Sequence, residues 1–236
     1  MERPVHENEG DNGVGRHELK YGINPADRAA LRPRLRAVAR YDENAGENGA
    51  YKVRSLYFDN YGDKAVIEKL SGQSRREKFR LRYYNDDPSF IRLEKKSKAN
   101  RLTYKEGCII SMERCEALLR GEYEYLMVPD NPLFMELYAK MRFQNLRPRC
   151  IVDYDREAYV YRPGNTRITF DGNIRASGHF GAFLDAGLAT IPAAAASSLV
   201  LEIKYDGFLP DIMRDVAQIG WRNQAEFSKY LAARLV

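Results

Sequence analysis

The chain has 236 residues, 44% hydrophobic and 30% charged, enough to bury a real core in one large domain or two small ones. Its 38 Lys and Arg against 33 Asp and Glu leave a formal charge of only +5, and with no dense basic tail a general nucleic-acid coat is not indicated. Cys108, Cys115 and Cys150 are an odd number without metal-type spacing, which with three His disfavours a zinc site and points to a reducing compartment; no apolar run is long enough to span a bilayer.

The N-terminal MERPVHENEGDNGVG is polar and Gly-rich and reads as a disordered lead over residues 1–15, without a signal peptide. RHELKYGI (16–23) alternates as a strand, and Pro25 opens a helical pattern that Pro33 is expected to bend. YKVRSLYF (51–58) is rich in β formers, and DKAVIEKLSG (63–72) reads as a short helix stopped by Gly72. KFRLRYY (78–84), the turn residues NDDPS and FIRLEKK (90–96) have hairpin spacing. TYKEGCII (103–110) is another strand, followed by helical patterns at 111–121 and 131–145. CIVDYDREAYVY (150–161) and TRITFDGNI (166–174) form a second hairpin around Pro163-Gly164, LVLEIKYDG (199–207) is the last clear strand, and LPDIMRDVAQIG and NQAEFSKYLAARLV read as closing helices. About eight strands with no repeat and no linker predict one α+β domain over residues 16–236, built on an antiparallel sheet or barrel with helices packed outside.

The strand faces carry the functional signal, because successive side chains point to opposite sides. In KFRLRYY, Lys78, Arg80 and Arg82 share one face, with Phe79, Leu81 and Tyr83 opposite. Arg16, Glu18 and Lys20 share a face, as do Arg92, Glu94 and Lys96, then Tyr154 and Arg156, then Arg167, Thr169 and Asp171, then Glu202 and Lys204. A wet outer face would be a looser mixture of Ser, Thr, Gln and Lys. Arg-rich faces with sparse carboxylates predict charged faces turned inward and apolar faces clothed by helices. Isolated buried charges are costly, so such an interior is a wet cationic tunnel that closes electrostatically around a polyanion. Its carboxylates can hold a divalent metal against phosphate oxygens.

RHELKY, SLYFDN, KFRLRYY, LEKK, the Tyr-x-Arg at 154–156, RITFD, LEIKY and FSKY, in that order from residue 16 to the C-terminus, resemble the catalytic domain of VTC-type polyphosphate polymerases, members of the triphosphate tunnel metalloenzymes. The resemblance implies an eight-stranded antiparallel β-barrel forming a basic tunnel. There a nucleoside triphosphate binds with Mn²⁺ or Mg²⁺ and its terminal phosphoryl group passes to growing polyphosphate. Carried over by motif, Lys20, Arg80, Arg82, Lys96, Arg156 and Arg167 become phosphate ligands, with Lys78, Lys105 and Lys204 on the same faces. Tyr154 becomes a hydroxyl donor to phosphate and Glu202 the metal carboxylate. Ser228 and Lys229 lie near the transferred phosphoryl group, and Arg80 and Arg82 join them in the chemistry. Glu18 and Glu94 are further metal or water-holding carboxylates, or else salt-bridge partners of their Lys neighbours. The sequence departs from the family at Glu226, where the eukaryotic polymerases carry Lys before Phe-Ser-Lys, and this weakens the basic patch at one tunnel end.

The expected partners are ATP and polyphosphate or inorganic phosphate, with no nucleic acid and no membrane segment of the chain's own, in a stand-alone cytoplasmic catalytic domain that a membrane protein could still partner. Two alternatives stay open: a triphosphatase in the same tunnel, and a binding module without turnover. No G-x-x-x-x-G-K-[ST] sequence is present, so ATP chemistry here is not of the P-loop kind. His17 and His179 lack the partners of a nucleophilic triad, and His17 falls on an apolar face.

Overall fold

The computed structural model describes residues 15–236 except 44, 47, 48, 101, 221, 223 and 225. All but the last residue of the expected N-terminal lead lies outside the described residues. The strands are β1 (His17–Ile23), β2 (Arg40–Tyr41), β3 (Ala50–Asp59), β4 (Arg75–Tyr84), β5 (Asp87–Ala99), β6 (Leu102–Ile110), β7 (Arg147–Tyr161), β8 (Thr166–Ser177), β9 (Ile191–Pro192) and β10 (Leu199–Tyr205). The helices are α1 (Pro25–Val38), α2 (Lys64–Leu70), α3 (Met112–Leu119), α4 (Pro132–Gln144), α5 (Asp211–Val216) and α6 (Lys229–Arg234).

Eight strands run in the order β1-β10-β8-β7-β3-β4-β5-β6, every pair antiparallel; β2 and β9 are two-residue additions on β7 and β8. The sheet curls until its two edges meet, among the described residues, at a single bridge. There Arg16 N–H donates to Thr103 O at 2.9 Å and Thr103 N–H returns to Arg16 O at 3.0 Å. The β4–β5 hairpin turns on Asn85 and Asp86, both at positive φ (53° and 55°), the left-handed pair that tight hairpins require and that Asn and Asp tolerate.

The apolar strand faces point outward and are covered. Phe79, Leu81 and Tyr83 of β4 and Ile91 and Leu93 of β5 pack under Cys115 and Leu118 of α3 and Leu133, Phe134, Leu137 and Met141 of α4. Ile168 and Phe170 of β8 and Leu201 and Ile203 of β10 pack under Leu31 and Leu35 of α1 and Met213 of α5. Asn24 caps α1 in a reciprocal box with Asp27, Pro25 takes the first turn where its missing N–H costs nothing, and Pro33 lies within the helix without ending it.

The C-terminal elements differ from the sequence expectation. Helix α5 spans only Asp211–Val216, and α6 begins at Lys229 rather than near residue 223. Ser228 has extended backbone and its Oγ accepts from Leu231 N–H, so it caps the helix instead of riding on it. Gln224, Glu226 and Phe227 belong to a strap before α6, with Gln224 bridged to Tyr21 and Phe227 O accepting from Lys20 Nζ at 3.2 Å.

Candidate functional site: a basic tunnel

The charged strand faces enclose one cavity of about 890 Å³. Its wall runs from Arg40, Asp42 and Arg162 at one end to Lys69, Arg76, Lys98 and Glu226 at the other. Sixteen Lys or Arg line it against six Asp or Glu, so its own carboxylates cannot neutralise it. The register sharpens the imbalance: Lys78 sits opposite Lys96 and Lys96 opposite Lys105, while Arg167 sits opposite Lys204. Like charges directly across a ladder destabilise a sheet, which leaves the wall one kind of guest that relieves it, a polyanion.

Every residue given a site role from sequence lines this cavity: Glu18, Lys20, Lys78, Arg80, Arg82, Glu94, Lys96, Lys105, Tyr154, Arg156, Arg167, Glu202, Lys204, Ser228 and Lys229. Three groups can be distinguished. In the first, Glu94 is enclosed by Arg80 Nη2 at 2.6 Å, Lys105 Nζ at 2.8 Å and Arg82 Nη1 at 3.6 Å. Arg82 also donates to Tyr154 Oη and Ser55 Oγ, and Arg80 to Tyr57 Oη. In the second, Arg156 forks onto Asp171 at 2.7 and 2.8 Å, and Lys229 reaches the same carboxylate at 2.6 Å. Both cations also lie over the Tyr154 ring, at 5.3 and 4.7 Å from its centroid. In the third, Lys20 Nζ stands between Glu18 at 3.3 Å and Glu202 at 3.4 Å, with Lys96 on Glu18 at 2.7 Å and Lys204 on Glu202 at 3.2 Å. Near α6, Lys78 reaches Ser228 Oγ at 3.5 Å and lies over the Tyr230 ring. At the other end of the bore Arg167 holds Asp42 and Tyr51 Oη, each at 2.6 Å.

The electrostatics follow from crowding. Burial pushes the Tyr154 hydroxyl up, but Arg156, Arg82 and Lys229 outweigh it and bring it down to about 8. Burial, with Arg76 close by, lowers Lys78 to about 8. Burial also lowers Lys20 and holds Lys96 well below the usual amine range despite Glu18. Burial raises Glu18 and Glu94, yet the surrounding cations hold both carboxyls well below the ordinary range.

The carboxylates decide what metal the site can take. Divalent Mg²⁺ and Mn²⁺ are hard ions that seek oxygen ligands. Glu18 and Glu202 already flank one shared cation, the Lys20 ammonium, so this pair fits such an ion, with phosphate oxygens to complete its shell. Glu94 is turned to three other cations, and among the described residues no three His, Cys, Asp or Glu converge. Glu18, Glu94 and Glu202 are therefore not a ready three-carboxylate centre. Glu94 pairs with Arg80, Arg82 and Lys105 rather than with Lys96, the neighbour its spacing suggested.

Sequence reasoning left Asp171 out of the site although it shares a face with Arg167 and Thr169. It also missed Arg76 and Lys98, each two residues beyond a quoted row, where continuing the alternation would have found them. Lys69, on α2, had no such signal.

An antiparallel sheet curled around a basic bore defines a tunnel-like fold. The profile of the VTC domain matches residues 15–236. The chain belongs to the VTC domain family. Among solved structures it is similar to a protein of Bacillus halodurans described as a putative adenylate cyclase, at 13% identity, TM-score 0.49, covering 86% of this chain and 87% of that one. It is also similar to the PH1819 and PH1012 proteins of Pyrococcus horikoshii OT3, at 12% and 11% identity and TM-scores 0.39 and 0.42, covering 86% of this chain and 84% and 85% of theirs. Comparison with curated proteins returns no match.

Proposed function

We propose that the protein is a metal-dependent polyphosphate polymerase that moves the terminal phosphoryl group of ATP onto a phosphate chain. The observation that carries the reading is the bore itself: one cavity of about 890 Å³ whose wall holds sixteen Lys or Arg against six Asp or Glu. A small triphosphate alone leaves many of these cations unmet, whereas a longer phosphate chain can meet them along the bore.

In the reaction, a terminal oxygen of the acceptor phosphate attacks the γ-phosphorus in line. The bond from that phosphorus to the β–γ bridging oxygen breaks, and ADP leaves with the electron pair. Such transfer needs positioning and relief of charge more than covalent help. Arg80, Arg82 and Arg156 present planar forks to the equatorial oxygens. Lys20, Lys78, Lys96, Lys105, Arg167 and Lys204 hold the rest of the polyanion, Tyr154 donates its hydroxyl to phosphate, and Lys229 with Ser228 stands by the transferred group. Glu202 and Glu18 would hold Mn²⁺ or Mg²⁺, which supplies neutralisation of charge on bridging phosphate oxygens. A nucleic-acid partner is disfavoured because these cations face inward. Among the described residues no helix is long and apolar enough to cross a membrane.

One observation favours a triphosphatase instead: Glu226 offsets cations at one mouth. Incubating the pure protein with ATP and Mn²⁺ separates the two. The polymerase is expected to yield long-chain polyphosphate and ADP, and release of free phosphate alone would replace it by a hydrolase. In the same assay Glu202→Gln is expected to abolish metal-dependent turnover and to spare triphosphate binding; an active variant removes Glu202 from the metal site.

A further inference from the structure

Beyond the deep site, a second group of cations has no part in the chemistry above. Lys69 comes from the end of α2, Arg76 from the start of β4 and Lys98 from the end of β5. They meet at one mouth of the bore, and their common partner is Glu226. Lys69 forms a direct ion pair with it, Lys98 lies at 3.5 Å and Arg76 at 3.8 Å. Arg76 sits directly opposite Lys98 in the β4–β5 ladder, so two like charges are forced together unless an anion comes between them.

Glu226 is that anion, and the chain places it there deliberately. The strap is pinned on one side where Gln224 bridges to Tyr21, and on the other where Phe227 O accepts from Lys20 and Ser228 caps α6. The carboxylate also sits outside the cations it serves. Its side chain is 64% exposed, against 11% for Lys69 and 13% for Arg76, so it can swing into water without unpacking anything. Behind it Arg76 continues the inward row of Lys78, Arg80 and Arg82, at steps of about 7 Å along the strand. A phosphate chain lying on that row arrives at the position Glu226 occupies.

We propose that Lys69, Arg76 and Lys98 form a distal subsite for a phosphate chain, and that Glu226 is its resident competitor, an internal carboxylate that any chain long enough to reach the mouth must displace. The inference rests on the reading of the bore as a phosphate-chain tunnel. Its consequence is discrimination by length: a triphosphate seated among Arg80, Arg82 and Arg156 never meets Glu226, and a longer chain does. The Lys69 contact, aided by Lys98 and Arg76, holds the Glu226 carboxyl down to about 2, so the competitor stays charged across the working pH range.

The test compares the natural protein with Glu226→Gln by calorimetry, using inorganic tripolyphosphate and long-chain polyphosphate without ATP or metal. The variant is expected to bind the long chain about tenfold more tightly, with a steeper salt dependence, and tripolyphosphate within about twofold of the natural protein. Adding Lys98→Gln to Glu226→Gln should remove most of the gain. No gain for the long chain overturns the proposal, and so does an equal gain for both ligands, which is a general charge effect. If neither ligand binds either protein, the tunnel reading itself falls and the subsite with it. A failure of the subsite alone leaves tripolyphosphate binding in place.

Discussion

Lys229 is fixed before any ligand arrives, by Asp171 at 2.6 Å and by the Tyr154 ring beneath it. An ammonium already held in place stabilises charge that shifts onto a leaving oxygen far better than one on a solvated helix, where an exposed lysine costs little to lose. Lys229→Ala is expected to fold, because Asp171 keeps the two-pronged contact from Arg156. Its turnover should fall by about a hundredfold, on the scale of one lost transition-state donor worth about 3 kcal/mol. Tripolyphosphate affinity should fall by much less, so single-turnover rates set beside binding constants check the point. Near-natural turnover would reduce Lys229 to a plug in the barrel end.

At the scale of the element, β4 sets Lys78 against Lys96, and β5 sets Lys96 against Lys105. Burial lowers Lys78 to about 8, below the 10.5 of a free lysine. Between those two pH values the folded chain carries fewer protons at this site than the unfolded chain, so this group's contribution to stability rises with pH across that window. A bound polyanion favours the charged amine, so binding takes up a proton near pH 8 and affinity falls as pH rises through it. Calorimetry of tripolyphosphate binding in two buffers of different ionisation enthalpy measures that uptake, which Lys78→Gln should diminish; unchanged uptake would assign it to another group. This row was legible in KFRLRYY, because period-two alternation fixes which side chains share a face. The start of the last helix was not: NQAEFSKY has good helix formers, and only the folded strap reveals that Gln224 pairs with Tyr21 and that Ser228 caps. Arg54 was equally silent. It is buried against Asp153, Tyr83 Oη and the Phe183 and Asp185 carbonyls, partners that lie far along the chain and leave no local pattern.

The whole molecule carries 38 cations and 33 anions, and the bore concentrates the imbalance, with sixteen cations on its wall against six carboxylates. Folding gathers charges that repel, so a ligand that relieves them should stabilise the fold. Tripolyphosphate at about a hundred times its dissociation constant is worth about 2.7 kcal/mol, or roughly 5–10 °C in melting temperature for a domain of this size. A thermal melt with and without the ligand checks it, and an unmoved midpoint would mean that the cavity does not bind the anion. The seam between β1 and β6 has a different bearing. Seven neighbouring strand pairs share full ladders, and the eighth is fastened, among the described residues, by one bridge at Arg16 and Thr103, with the Glu18–Lys96 ion pair inside it. The bore is thus a rolled sheet held by a clasp rather than a seamless pipe. Unfastening the clasp turns the pipe into a lengthwise slot, and a polymer of any length can then be laid in sideways without a free end to thread.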